Sequence, residues 1–340
     1  MGSVKDLILL KEATKENFGK GQFKFSDRYS VFDWGEMPDH IPNKGKAIVI
    51  LAAYFFEKLE LAGYPTHYLG LVEDGKVKKL SDLKQPTDRM EIKLLRVIKP
   101  KLTGNTYDYS EYIGQRGNYL IPLEVIYRNK LPAGSSVFRR LKRGDNTPQD
   151  LGLKEMPVPN QILDPPIYDV STKLEITDRY ISWEEAQKIS GQNSDEIQKM
   201  KKLTAEINNI ISKEFKKIGL GNEDGKIELG FDSDRNLMLV DVLGTLDECR
   251  FIFEDIAVSK EIARIHYRDT EWAEAVKEAK EKNRQQWKKI CRLQPSPLPE
   301  KLKNLISNVY CAVTNEITGE EWFKNIPPLK EIMYDIKGTL

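Results

Sequence analysis

Apolar residues recur along this chain with two spacings, one suited to strands and one to helices. LILL at 7–10 and QFKFS at 22–26 read as strands joined by a polar, glycine-bearing turn over 11–21. Residues 46–62 are almost continuously apolar and stop at Gly63-Tyr64-Pro65, which predicts a buried helix with a Gly/Pro stop. Strands are expected at 66–73, 89–98 and 121–127. Ile197, Met200, Leu203, Ile207, Ile210, Ile211, Phe215 and Ile218 fall at helical spacing between Ser194 and Ile218, with Gly219 placed to end the helix. Residues 226–231 and 237–243 read as a β-hairpin. Trp272–Leu293 and Pro299–Trp322 read as helical, broken at Pro295-Ser296-Pro297. The polar, Gly- and Tyr-rich stretch from Lys101 to Asn118 is expected to be an excursion, and Pro-rich Gly144–Pro166 to be largely loop.

Composition narrows the class. At 340 residues the chain can bury a large core, and its length suggests two subdomains. A net charge of +1 provides no global field toward nucleic acid or membrane, so neither partner is expected. The longest apolar run, Ala47–Phe56, is too short to span a bilayer. Cys249, Cys291 and Cys311 are odd in number and widely spaced, which fits reduced thiols in a cytoplasmic protein. His40, His67 and His266 are too dispersed for a histidine-rich metal site.

Three stretches carry candidate chemistry. Phe25–Gly45 gathers Asp27, Arg28, Ser30, Asp33 and Lys44 with several aromatics, a set suited to a polar ligand. Arg28 could equally be a structural ion-pair partner, and Lys44-Gly45 could merely set up the next helix. In the hairpin, alternation places Lys226, Glu228 and Gly230 on one face. A loop over Ser233–Asn236 would set Glu228 opposite Asp241. Facing carboxylates destabilise a sheet unless a cation lies between them, so this pair is a candidate Mg-ATP site. The alternative is a solvated face with Lys226 offsetting the charge, and a one-residue slip would separate the pair. Finally, Arg128-Asn129-Lys130 followed by Ala133-Gly134-Ser135-Ser136 suits an anion such as a sugar phosphate. A charged strand end with a flexible loop is the plainer reading of the same residues. Gly19-Lys20-Gly21 is no Walker loop.

Taken in order, these segments resemble the SAICAR synthetase family. SDRYSVFD...IPNKG, IPLEVIYRN with AGS, DGKIELG, LVD through Arg250, Ser259-Lys260 to Arg264, and PSPLP with Thr318-Gly319 are similar to that family's successive motifs. The resemblance implies an α+β, ATP-grasp-like fold with antiparallel sheets and a helical C-terminal region. Residues 1–98 would form a strand-rich part and 99–340 a larger one, with 101–120 inserted. It also implies ATP-dependent ligation of L-aspartate to the carboxylate of CAIR, a carboxylated aminoimidazole ribonucleotide, with ATP and Mg²⁺ as cofactors. Glu228 and Asp241 would be linked to metal. Lys226 and Asp224 would lie by the ATP phosphates and the reacting carboxylate, and Arg128, Ser135 and Arg250 would hold CAIR. Asp27, Ser30 and Asp33 would shape the CAIR or aspartate end. Lys11 and Lys15 would lie over the ATP phosphates, with adenine against the strand around Lys93, Leu95 and Val97.

The sequence departs from the family pattern at Val242, where a carboxylate is lost, and at Cys249, where a hydroxyl is lost. Its first turn reads Lys11-Glu12-Ala13-Thr14-Lys15 in place of the family's Gly-Lys. A small-molecule kinase on a related fold and a non-catalytic nucleotide-binding relative are the competing readings. Small-molecule substrates are the expected partners, and homo-oligomer formation is left open.

Overall fold

The computed structural model describes residues 4–339 apart from 105, 259, 284 and 285. Two antiparallel sheets organise the chain. The first is built from β1 (Lys5–Lys11), β2 (Gly19–Phe25), β3 (Tyr68–Glu73), β4 (Lys76–Lys78) and β5 (Arg89–Leu94), in the order β1-β2-β5-β3-β4. Helix α1 (Lys44–Leu61) packs against β2, β3 and β5. Its apolar residues surround it on all sides, as suits a helix covered by a sheet on one side and another helix on the other.

Two short strands, β6 (Lys101–Thr103) and β7 (Thr106–Asp108), form a separate hairpin before the second sheet. That sheet contains β8 (Tyr119–Leu131), β9 (Gln161–Thr172), β10 (Gly221–Phe231), β11 (Leu237–Val240), β12 (Cys249–Phe253) and β13 (Ile256–Val258), ordered β13-β12-β10-β8-β9 with β11 on the far end of β10. Helices α2 (Ser136–Arg143), α3 (Trp183–Ser190) and α4 (Ser194–Lys217) connect its strands. Asn193 and Glu196 form a reciprocal capping box at the start of α4. The helix lays its apolar stripe on β8 and β10, and Phe215 stacks on Phe251 with ring centroids 3.7 Å apart. Phe55 of α1 stacks on the other side of Phe215, so the core runs between the sheets. The C-terminal part comprises α5 (Glu261–Arg268), α6 (Glu271–Lys282), α7 (Trp287–Ile290), α8 (Glu300–Thr318) and α9 (Leu329–Lys337), with α8 lying on α1.

The sequence pattern located most of these elements. Gly144–Pro166 is largely loop as expected, with β9 beginning at Gln161 and carrying its two prolines within the strand. One expectation needs correction. The hairpin loop is one residue longer than expected: Phe231 pairs with Leu237, and Glu228 stands opposite Val240 rather than Asp241. The side chain of Asp232 explains the longer loop. It accepts the backbone N–H groups of Asp234 and Asn236, a local bond set that stabilises a wider turn.

The two sheets are stitched together by the backbone. His67 N–H donates to Leu239 O (2.9 Å) and Leu239 N–H to Pro65 O (2.9 Å). Farther along, Leu120 N–H donates to Arg96 O (2.9 Å).

Candidate active site

One face of the second sheet is packed on α4. The opposite face carries charge, because residues two apart on a strand share a face. Arg128 of β8, Asp224 of β10 and Arg250 of β12 are register neighbours across three strands. Asp224 accepts from Arg128 Nη1 (3.2 Å) and from Arg250 Nε (2.8 Å), with Arg250 Nη2 also in contact. Arg128 is buried, and Asp169, Ser136 and Tyr180 accept from its Nη2 at 3.2–3.3 Å. Arg140 joins the knot through Asp169. Burial works against the Arg250 charge, but the Asp224 carboxylate more than offsets this and holds its pKa up. Ser135 caps α2 at its Val137 N–H and lines a cavity of about 440 Å³ with Gly134, Ser136, Arg139 and Lys142.

Two residues along the same strands lies a cluster of acids and lysines. Glu228 is directly opposite Glu124 on β8. The Lys226 ammonium contacts Glu228 and lies 3.1 Å from both Glu124 Oε1 and Glu248 Oε2. Lys173 reaches Glu228 Oε1 at 2.6 Å and Glu124 Oε1 at 3.4 Å. Asp241 enters despite the register slip. Its backbone turns left-handed (φ 63°), His67 Nε2 bonds its carbonyl at 2.9 Å, and its carboxylate pairs with Lys5. Asp241 Oδ2 lies 3.9 Å from Lys226 Nζ.

These groups shift one another. Burial, then the Asp241 charge, pushes the Glu228 carboxyl up. Burial also disfavours the Asp241 carboxylate, but Lys5 and Lys226 overcome it and hold its pKa far below the usual range. Burial opposes the Lys226 charge as well, yet Glu228, Glu248 and Glu124 keep the ammonium protonated. Four carboxylates thus face three ammonium groups in a largely buried space. That surplus of negative charge and the hard oxygen donors suit a divalent cation. Among the described residues no three acidic, His or Cys side chains converge to enclose a metal by themselves. A cation held by two carboxylates, water and phosphate oxygens is the arrangement that suits Mg²⁺.

A third locus adjoins through Glu248. A cleft of about 210 Å³ is lined by Ser30, Asp33, Lys44, Asp247, Glu248, Lys260 and Arg264, among others. Lys44 is buried and bonds Asp247 Oδ2 at 2.5 Å, while Tyr310 donates to Asp247 Oδ1 at 2.6 Å. Lys260 donates to Asp247 O.

The remaining sequence candidates fall outside these contacts. Asp27 accepts the Gly45 N–H (2.9 Å) and so fixes the start of α1, while Arg28 pairs with Asp6 at 2.9 Å. Asp33, at φ 62°, pairs with Lys280 at 2.7 Å on the rim of the cleft. Lys11 and Lys15 are exposed at a strand end and in the first turn, which Asn118 pins by donating to Thr14 O and Asn17 O. Lys93 lies over the Phe18 ring (5.6 Å) and Val97 is exposed. Leu95 abuts Gly230, where an added Cβ would sit 2.0 Å from Leu95 Cδ1. Ser259 lies outside the described residues. Sequence reading passed over Glu124, Lys173, Lys5 and Asp247, and left Lys44 between a polar-ligand role and a helix start. Glu124 alone carried a usable signal, a carboxylate in the otherwise apolar run IPLEVIY.

Comparison with known proteins places this architecture. The family model described as SAICAR synthetase matches residues 11–285. The chain belongs to the SAICAR synthetase family. A curated Archaeoglobus fulgidus relative, provisionally named phosphoribosylaminoimidazole-succinocarboxamide synthase, is 50% identical over 340 residues and covers the whole of both chains. A Thermoplasma acidophilum phosphoribosylaminoimidazole-succinocarboxamide synthase is 30% identical over 93% of this chain and 99% of its own. Among solved structures, the SAICAR synthase of Saccharomyces cerevisiae complexed with SAICAR matches with TM-score 0.62 and 22% identity, covering 95% of this chain and 94% of its own. A type-2 SAICAR synthetase crystallised with ADP matches with TM-score 0.56 and 23% identity, covering 87% and 99%. The fold is therefore the α+β, ATP-grasp-like one of SAICAR synthetases, with antiparallel sheets and C-terminal helices.

Proposed function

We propose that this protein ligates L-aspartate to the carboxylate of CAIR, converting ATP to ADP and phosphate and producing SAICAR for purine synthesis. The observation that carries this reading is the adjacency, on one sheet face, of an arginine knot suited to a sugar phosphate and an acid–lysine cluster suited to metal-bound phosphates. Family membership supplies the reaction class.

The chemistry asks for both groups. A carboxylate is a poor electrophile. Transfer of the ATP γ-phosphoryl group to a CAIR carboxylate oxygen makes an acyl phosphate. The aspartate amine then attacks its carbonyl carbon, phosphate leaves with the C–O bonding pair, and the amine loses a proton. Bringing several anions together requires fixed positive charge, because the protein acts chiefly by positioning and electrostatic stabilisation. In this reading Arg128, Arg250 and Ser135 hold the ribose phosphate. Lys226 and Lys173 offset charge on the transferring phosphoryl group, and Asp224 keeps the two arginines in register. Glu228 and Asp241 would hold Mg²⁺, which would supply positive charge to offset that of the phosphates. Lys44, Lys260 and Arg264 are the cations of the neighbouring cleft that would meet the carboxylates of L-aspartate. Lys11 and Lys15 would lie over the ATP phosphates, and adenine would lie along Lys93–Val97. A cytoplasmic location suits three reduced, buried thiols.

The test is ADP release and SAICAR formation from CAIR and ATP, with and without L-aspartate. The proposal expects an aspartate-dependent product. ADP release with no such product would favour a kinase or hydrolase instead.

A further inference from the structure

The excursion between β5 and β8 lines neither cavity described above, yet it is packed on a segment that reaches the acid cluster. Tyr112, just past β7, is fully buried and donates to Ile98 O at 2.5 Å. Its backbone carbonyl lies so close to the end of α3 that a Cβ on Gly191 would sit 2.3 Å from it. The base of the excursion is thereby fixed. Its two exposed strands then direct Tyr107 and Tyr109 at residues 173–179, which connect β9 to α3. The buried Tyr109 donates to Glu175 Oε1 at 2.9 Å, and the Tyr107 hydroxyl accepts the Ile176 N–H at 2.9 Å.

Residues 173–179 form a strap closed at its neck. Thr172 N–H donates to Arg179 O (3.0 Å), Arg179 N–H donates to Thr172 Oγ1 (3.1 Å), and Ser171 bridges Tyr180. Arg179 pairs with Glu175 at 3.1 Å and with Glu185 at 2.7 Å. The strap begins with Lys173, whose ammonium meets Glu228 and Glu124. Beyond the tyrosines the strap has little apolar cover: Ile176 at its crown is 74% exposed. A lysine side chain has many rotamers of similar energy, so its aim depends on how firmly its backbone is held.

We infer that the 101–112 excursion is a strut for the strap, and that Tyr109 and Tyr107 are positioning residues that act through Glu175 and the Ile176 amide to aim Lys173 at the acid cluster. The inference rests on the proposed function, since it takes that cluster to be the reacting centre. A hairpin that merely covered core would contribute to stability without being coupled to one lysine.

The experiment is a double-mutant cycle between Tyr109→Phe and Lys173→Met, read as kcat for aspartate-dependent product, with hydrogen exchange across 173–180. Losing one well-placed hydrogen bond should lower kcat roughly tenfold with the melting midpoint nearly unchanged. In the Lys173→Met background the same change should cost less than about twofold, because interacting residues are non-additive. Exchange across 173–180 should quicken. Equal losses in both backgrounds, or an unchanged kcat in Tyr109→Phe, would overturn the strut. If Tyr109→Phe does not fold, Glu175→Gln weakens the same bond with the ring left in place and takes its position in the cycle. A wild-type enzyme without SAICAR product counts against the proposed function alone. In that case, or if Lys173→Met is too slow to assay, exchange decides, and unchanged protection across 173–180 in the substituted protein overturns the strut.

Discussion

Glu124 and Glu228 stand directly opposite each other on adjacent strands, with the Lys226 ammonium bonded to both. Opposed like charges destabilise a sheet, so Lys226, joined by Lys173, is what makes this pairing tolerable.

Removing that lysine should therefore unbalance the fold as well as the chemistry. Lys226→Met is expected to abolish product formation and to cost about 3–5 kcal/mol in denaturant unfolding, the usual penalty for leaving buried charge unpaired. Adding Glu228→Gln should restore much of the stability and none of the activity. A stable, active Lys226→Met protein would contradict both roles.

Asp241 should be needed for catalysis, and its depressed pKa means that it also contributes stability at neutral pH without being required for the fold to form. Its carboxylate pairs with Lys5 and Lys226, and its left-handed backbone is held independently by His67. Asp241→Asn is expected to keep native circular dichroism, lose product formation and bind Mn²⁺ more weakly by electron paramagnetic resonance. In the wild type, EDTA should stop turnover and added Mg²⁺ restore it. Full turnover of Asp241→Asn would remove the metal role.

Asp247 makes stability depend on acidity. Burial raises its pKa, but Lys44, Lys260 and the Tyr310 hydroxyl outweigh burial and leave it below the ordinary value. A carboxylate with a depressed folded pKa stabilises above the unfolded value, about 3.9, and loses that contribution as the pH falls through the folded value. Asp247→Asn should thus be less stable than wild type by several kcal/mol at neutral pH, with the gap closing below about pH 4. A gap that stays constant from pH 7 to pH 3 would refute this assignment.

The cysteines should be inert. All three are buried, and burial pushes the Cys249 and Cys311 thiols up to about 12. Only the thiolate reacts readily, and at pH 8 its share at such a pKa is on the order of one in ten thousand. Ellman's reagent should leave the native protein unlabelled and titrate three thiols in denaturant. Fast labelling of the native chain would show that at least one of the three is reachable.

Legibility from the sequence followed the physics of each feature. Strand and helix periods gave most elements, including α4, because Ile197 to Phe215 is a regular stripe. β9 was hidden because Pro165 and Pro166 read as loop signals within a strand. The arginine row was readable in part: Arg128, Asp224 and Arg250 were each singled out, but only strand order makes them neighbours. The hairpin register was off by one, so Val240 rather than Asp241 stands opposite Glu228, although Asp241 still enters the same cluster. Hairpin counting pointed Glu228 at Asp241, while Glu124 lay one strand over, beyond any local rule. Lys173 and Lys5 reach the cluster from segments distant in sequence, and the role of Lys44 stayed open because its Asp247 partner lies 203 positions away.

The backbone bonds through Pro65, His67, Leu239, Arg96 and Leu120 bear on how substrates enter. Swinging the first sheet away from the second would break hydrogen bonds at two separate points and pull Lys5 from Asp241. The molecule is accordingly built less like a clamshell than like a bench vice with one fixed jaw. A two-sheet opening would have to break those bonds, so substrates are expected to enter and leave with the two sheets held together.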